Sequence, residues 1–132
     1  GKARFLTLYL ASGLAGSLGV MFWAPHDTFV VGASGAIFGL LGAFLVIQRK
    51  LGGETTQLLV LVGVNLVIGF LPGMSISWQA HLGGLLGGAL LGFIFVQTRK
   101  YTQKRLQLAL VSLTVLAFVA LALSHAPMFV QG

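Results

Sequence analysis

The sequence predicts an all-α fold, a polytopic bundle of about five membrane helices, and three observations carry that prediction. The chain is 57% hydrophobic and only 8% charged over 132 residues, where a soluble domain normally carries about 25% charged residues to clothe its surface. Its apolar residues fall into five stretches, roughly 5–23, 34–48, 57–71, 80–96 and 106–123. Its eight basic residues lie only between those stretches: Lys2 and Arg4; Arg49 and Lys50; Arg99, Lys100, Lys104 and Arg105. Residues 1–132 therefore read as one membrane domain.

The first stretch follows Lys2 and Arg4 as a signal peptide would, but it is long and four more follow, so it reads as a spanning helix. The second and third are short against the ~20 residues that cross a hydrocarbon core. Short helices are expected to end where protein or water encloses their termini. Gly52 and Gly53 break the chain between the second and third stretches, and Pro72-Gly73 closes the third. Trp23 and Trp78 flank loops where indoles favour the membrane interface.

With Lys2 and Arg4 placed in the cytoplasm, five crossings return every basic cluster to the cytoplasmic side, as the positive-inside rule asks. The expected location is an integral position in a plasma membrane, bacterial in type, with the lipid bilayer as constant partner. The net charge of +6 is thus topological. Only Tyr101 is interleaved with the basic residues, so nothing points to nucleic acid. Cysteine is absent and the acids are limited to Asp27 and Glu54. No metal site, cofactor, carboxylate pair or phosphate loop is expected.

Two polar positions interrupt the apolar runs where chemistry is possible. Ser34 opens the second helix within Gly32-Ala33-Ser34-Gly35-Ala36-Ile37-Phe38-Gly39, and His81 opens the fourth within Ala80-His81-Leu82-Gly83-Gly84. The crossing count starts both helices on the outer side, at similar depth. A serine hydroxyl needs a base within hydrogen-bond reach to become a nucleophile, and imidazole titrates in the useful range. A helix N-terminus adds N–H groups suited to an oxyanion. Gly35-x-x-x-Gly39 and Gly84-x-x-x-Gly88 offer smooth faces on which the two helices can touch.

These residues resemble the rhomboid family of intramembrane serine proteases. The matching pieces are Gly32-Ala33-Ser34-Gly35, and Ala80-His81 followed by Gly84 and Gly88. Arg4-Phe5-Leu6, Tyr9-Leu10 and Ser12-Gly13 look like the start of the family's third membrane helix. The resemblance implies peptide-bond hydrolysis in transmembrane protein substrates by a serine–histidine dyad. Ser34 is then nucleophile and His81 general base, and Gly32 and Gly35 supply active-site backbone. Phe38 stands where the family places an aromatic ring, often tyrosine, against the imidazole. The family's second helix normally brings a His-x-x-x-Asn pair for the oxyanion. None occurs here; four residues after His26 stands Val30. The expectation is a fragment running from the family's third helix onward, with impaired activity.

Other readings stand beside this one. A rhomboid-like protein could bind membrane helices without cutting them, and a small transporter or assembly subunit could use the glycine faces only for packing. Retention of both Ser34 and His81 disfavours the former, and the lack of buried acids disfavours the latter. Ala36 in place of a second elbow glycine argues against an α/β-hydrolase. Asn65 is expected to bond across helices, His26 and Asp27 to be solvated, and His125 to be an incidental tail residue.

Overall fold

The computed structural model describes residues 1–25, 33–73 and 76–130, the last segment with side chains as far as His125. Among these residues there is no strand. Five α-helices follow one another: α1 (Lys2–Trp23), α2 (Ser34–Lys50), α3 (Thr56–Ile68), α4 (Trp78–Gln97) and α5 (Lys104–Val130), the last entered through a 3-10 turn at Tyr101–Gln103. The segments Lys2–Trp23, Trp78–Gln97 and Tyr101–His125 are long and apolar enough to cross a bilayer. At 17 and 13 residues, α2 and α3 are the short members anticipated from the sequence.

Local chemistry sets several boundaries. Basic Arg49 and Lys50 occupy the last turn of α2, favourable against the helix dipole. Gly52 then takes φ +79°, a left-handed value open to glycine without cost. The Gly53 amide returns to the Gln48 carbonyl at 2.8 Å, closing the helix end. Ser77 caps α4, its hydroxyl accepting from the Ala80 amide at 3.1 Å.

The third helix stops at Ile68, three residues before the sequence pattern suggested. Its C-terminus tightens through i→i−3 bonds from Gly69, Phe70 and Leu71, and Pro72 disfavours a helical residue before it. The fifth helix runs seven residues past the expected end, so His125 belongs to α5 rather than to a tail. Its ring lies 4.1 Å from that of Phe22.

The core is a triangle of α1, α2 and α4, which pack far more extensively on one another than α3 or α5 pack on any of them. Small residues make this possible. A Cβ on Gly84 would land on the Gly35 carbonyl, one on Gly88 on the Gly39 carbonyl, and one on Gly92 would come 2.7 Å from the Ala43 Cα. The pairs step by four residues along both helices, so α2 and α4 run parallel with touching backbones, a geometry that only small residues permit. The first helix lies antiparallel in the notch between them. Gly19 faces Gln79 and Gly83, Gly16 faces Ala80 and Gly35, and Ser12 faces Gly39. At the basic end the seam widens into a cluster of Leu8, Ala11, Ala43, Leu91, Ile94 and Val111.

Peripheral helices attach at their ends. Trp78 is stacked between Trp23, at 6.4 Å, and Phe70, at 4.8 Å, tying the end of α3 to α1 and α4. Only Val62 of α3 is buried. The Asn65 amide donates to the Leu61 carbonyl of its own helix at 2.8 Å, so the expected interhelical bond is not made. The carbonyl one turn back is the usual outlet for a polar side chain on a membrane helix.

Candidate functional site

Ser34 and His81 occupy the end of the bundle opposite the basic clusters, on the two helices that touch. Gly35 and Ala80, their immediate neighbours, meet across the seam: a Cβ on Gly35 would lie 3.3 Å from the Ala80 carbonyl oxygen. Gly84, one turn below His81, rests on the Gly35 carbonyl. Ser34 is thus the first residue of α2 and His81 the fourth of α4, at the same level of parallel helices. Ser34 is exposed while Gly35 and Ala36 beside it are buried.

His81 is buried, 6% exposed. Its ring stacks on Phe38 with centroids 4.0 Å apart and planes 14° from parallel. Phe38 is itself 5% exposed and sits one turn below Ser34, so a single face of α2 carries both the hydroxyl and the ring that holds the imidazole. The His81 Nδ1 atom has no hydrogen-bond partner, and no carboxylate approaches it among the described residues. Stacking and packing, rather than an acid, orient the imidazole. No hydrogen bond joins the Ser34 hydroxyl to His81; between a serine and a neighbouring base such a contact is often long until a substrate tightens it.

Of the residues singled out from the sequence, the structure brings Phe38 onto His81, and sets Gly35, Gly39, Gly84 and Gly88 in the seam beneath them. Gly32, His26 and Asp27 lie outside the described residues. Among the described residues no group of side chains could hold a metal ion.

Sequence reasoning gave no role to Ser12. Its side chain is wholly buried, with its hydroxyl unpaired, against the space that Gly39 leaves by having no side chain. The signal was present in the spacing of Leu8, Ala11, Ser12, Ala15, Gly16 and Gly19, all buried on one face of α1. That face is what fixes α2 against α4.

Comparison with known proteins agrees with this architecture. The Rhomboid domain family model matches residues 1–98. The chain is 41% identical over 104 residues to YdcA of Bacillus subtilis, covering 76% of this chain and 52% of that protein. It is 40% identical over 123 residues to RHOMBOID-like protein 7 of Arabidopsis thaliana, covering 87% of this chain and 38% of that one. It is also 42% identical over 93 residues to the rhomboid protease GluP of Bacillus subtilis, covering 67% of this chain and 18% of that one. The chain thus spans about half the length of YdcA and less of the others. No solved structure matches. A glycine-seamed bundle of apolar helices, matched by the domain model across most of its length, makes this integral membrane protein a member of the rhomboid family.

Proposed function

We propose that the chain is the catalytic portion of an intramembrane serine endopeptidase, with Ser34 as nucleophile and His81 as general base and then acid. The observation that carries this reading is the Phe38–His81 stack above the Gly35–Gly84 contact. It fixes an imidazole at the level where an exposed serine opens the adjoining helix. His81 takes the Ser34 proton as Oγ attacks the scissile carbonyl, then delivers it to the leaving amine. Water repeats the sequence in reverse to release the acyl group. The first turn of α2, Gly35 included, offers backbone N–H groups to the developing oxyanion.

The substrates are transmembrane proteins, presented as unwound segments near the outer surface, with the basic end of the bundle in the cytoplasm. The 132 residues alone contain no His-x-x-x-Asn donor pair, and loss of an oxyanion donor costs about 10²–10³ in rate. Weak turnover is therefore expected from the isolated polypeptide.

A fluorophosphonate probe tests the assignment on the protein in detergent or bilayer. Labelling is expected at Ser34, absent in Ser34→Ala and reduced in His81→Ala. Undiminished labelling of Ser34→Ala would remove the nucleophile, and a helix-binding role without cleavage would then be the better reading.

A further inference from the structure

His81 is the fourth residue of α4, so its imidazole rides on the first helical turn, where amides lack the partners that hold a helix interior. Its Nδ1 atom has no hydrogen-bond partner, and the ring's stack on Phe38 is apolar. Its placement therefore depends on that stack and on the backbone of the turn beneath it. Helix ends fray most readily, and a reacting group displaced even slightly loses much of its rate.

One residue holds this turn closed. Ser77 precedes α4 with extended backbone, φ −84° and ψ 102°, and its hydroxyl and carbonyl both engage the turn. The hydroxyl accepts from the Ala80 amide at 3.1 Å and donates to the Gln79 Oε1 atom at 3.2 Å. Giving its proton to Gln79 leaves the oxygen's lone pairs for the amide. The Ser77 carbonyl accepts from the His81 amide at 3.2 Å. From the other side the turn is wedged into the notch between α1 and α2. A Cβ on Gly16 would come 3.0 Å from the Ala80 carbonyl oxygen, and one on Gly35 would come 3.3 Å from it. The turn cannot move inward, so outward fraying is the motion left for the cap to oppose. By contrast, α2 and α3 begin at Ala33 and Thr55 with no side-chain cap bond.

We propose that Ser77 is a positioning residue for His81. Its cap keeps the first turn of α4 closed, and with it the imidazole on Phe38 at the level of Ser34. It acts through the backbone of the turn and not on the reacting atoms. The proposal rests on the assignment of Ser34 and His81 as nucleophile and base.

The test pairs amide exchange with the rate of fluorophosphonate labelling, in the full chain and in Ser77→Asn, Ser77→Gly and Ser77→Ala. Asparagine caps as well as serine, glycine slightly less well, and alanine poorly. Asparagine also leaves the charge near His81 unchanged. Exchange at the Ala80 and His81 amides is expected to be parental in Ser77→Asn and about fivefold faster in Ser77→Ala, as loss of one cap predicts. The amides from Gly84 to Gly88 are expected to be unmoved. The labelling rate at saturating probe is expected to fall about threefold in Ser77→Ala, less than exchange rises, because only the frayed fraction is inactive. Probe affinity is expected to stay constant, Ser77→Gly to fall between, and Ser77→Asn to label at the parental rate. Thr55→Ala, at the start of α3, is expected to change neither measurement. Parental exchange at Ala80 and His81 in Ser77→Ala overturns the proposal, and so does a labelling loss that Ser77→Asn shares. Ser34→Ala separates this proposal from the one beneath it. Parental labelling of Ser34→Ala would overturn the nucleophile and this proposal together. Lost labelling there, with parental labelling in Ser77→Ala, would overturn the positioning role alone.

Discussion

The seam between α2 and α4 and the lipid-exposed length of α3 are both apolar helical surface, yet they are built on opposite rules. In the seam, glycine after glycine lies where any Cβ would strike the opposite backbone. Along α3, Gly63 has nothing within 4 Å, and Leu59, Val60, Leu61, Val64 and Val67 face outward. Hydrophobicity cannot separate the two in a bilayer, because lipid solvates Leu as well as another helix does. Backbone proximity does. The difference locates rigidity under Ser34 and His81, where catalysis by a preorganised pair would need it, and leaves α3 attached mainly through the Trp78 stack at one end.

The sharpest way to break the comparison is to put the same added bulk in both places. Gly88→Ala is expected to prevent α2 and α4 from closing, since its Cβ would land on the Gly39 carbonyl, so that the purified protein shows no cooperative thermal transition and no probe labelling. Gly63→Ala in α3 is expected to leave labelling intact and to stabilise by up to about 1 kcal/mol, since Ala is the better helix former. If the two substitutions lowered the melting temperature equally, the seam would not be the rigid element.

Next comes the ring that lies across the seam's upper end. Phe38→Ala is expected to cost about 2 kcal/mol in stability. That is below the usual cost of truncating a core Phe, because part of that cost is transfer from water, a term weakened in lipid. Labelling is expected to fall further than stability does, because the imidazole loses its stacking surface. Phe38→Tyr keeps the surface and is expected to restore labelling. Comparing melting temperature with labelling rate for the three proteins separates positioning of His81 from support of the fold.

How much of this was legible in the sequence follows the same division. Five apolar stretches and three basic clusters give helix number and which ends lie together, because both follow from single-residue energetics in lipid. Period-four glycines announce a close-packed face on each of α2 and α4. Which partner meets a face is a pairwise property, and there the sequence is weaker. Ser12 reads like any membrane serine, and its place opposite Gly39 is visible only in three dimensions. Asn65 reads as a residue that reaches another helix, and instead bonds to Leu61 of its own, an outlet open to any membrane asparagine. The end of α3 was misplaced because Gly69, Phe70 and Leu71 remain apolar while the backbone has already tightened into its closing turns.

A smaller effect tests the edge of the core. Gln107→Leu removes the link between Arg4 and Thr98 and leaves the buried Thr98 carbonyl without the Gln107 amide. An expected loss of about 1–2 kcal/mol, near that of a buried hydrogen-bonded side chain, would register in the melting temperature with labelling at Ser34 unchanged.

The smallest effect lies at the other end of the comparison, where α3 begins. Glu54 accepts from the Thr56 amide at 2.8 Å and from its hydroxyl, and these bonds, the hydroxyl's foremost, hold its carboxyl below the usual carboxylate range. A depressed folded-state pKa contributes stability that is complete above the ordinary carboxylate pKa and is lost as pH falls through the lowered one. The side chain is fully exposed, so the effect is confined to fraying of the first turn. Amide exchange at Thr56 and its neighbours, measured at matched intrinsic rates, is expected to accelerate on acidification and to be pH-independent in Glu54→Gln. The seam amides between Gly84 and Gly88 are expected to show no dependence on Glu54, which sits in the loop between α2 and α3 and bonds to Thr56. An acid-induced opening that reached those amides together with Thr56 would mean that α3 and the core unfold as one unit.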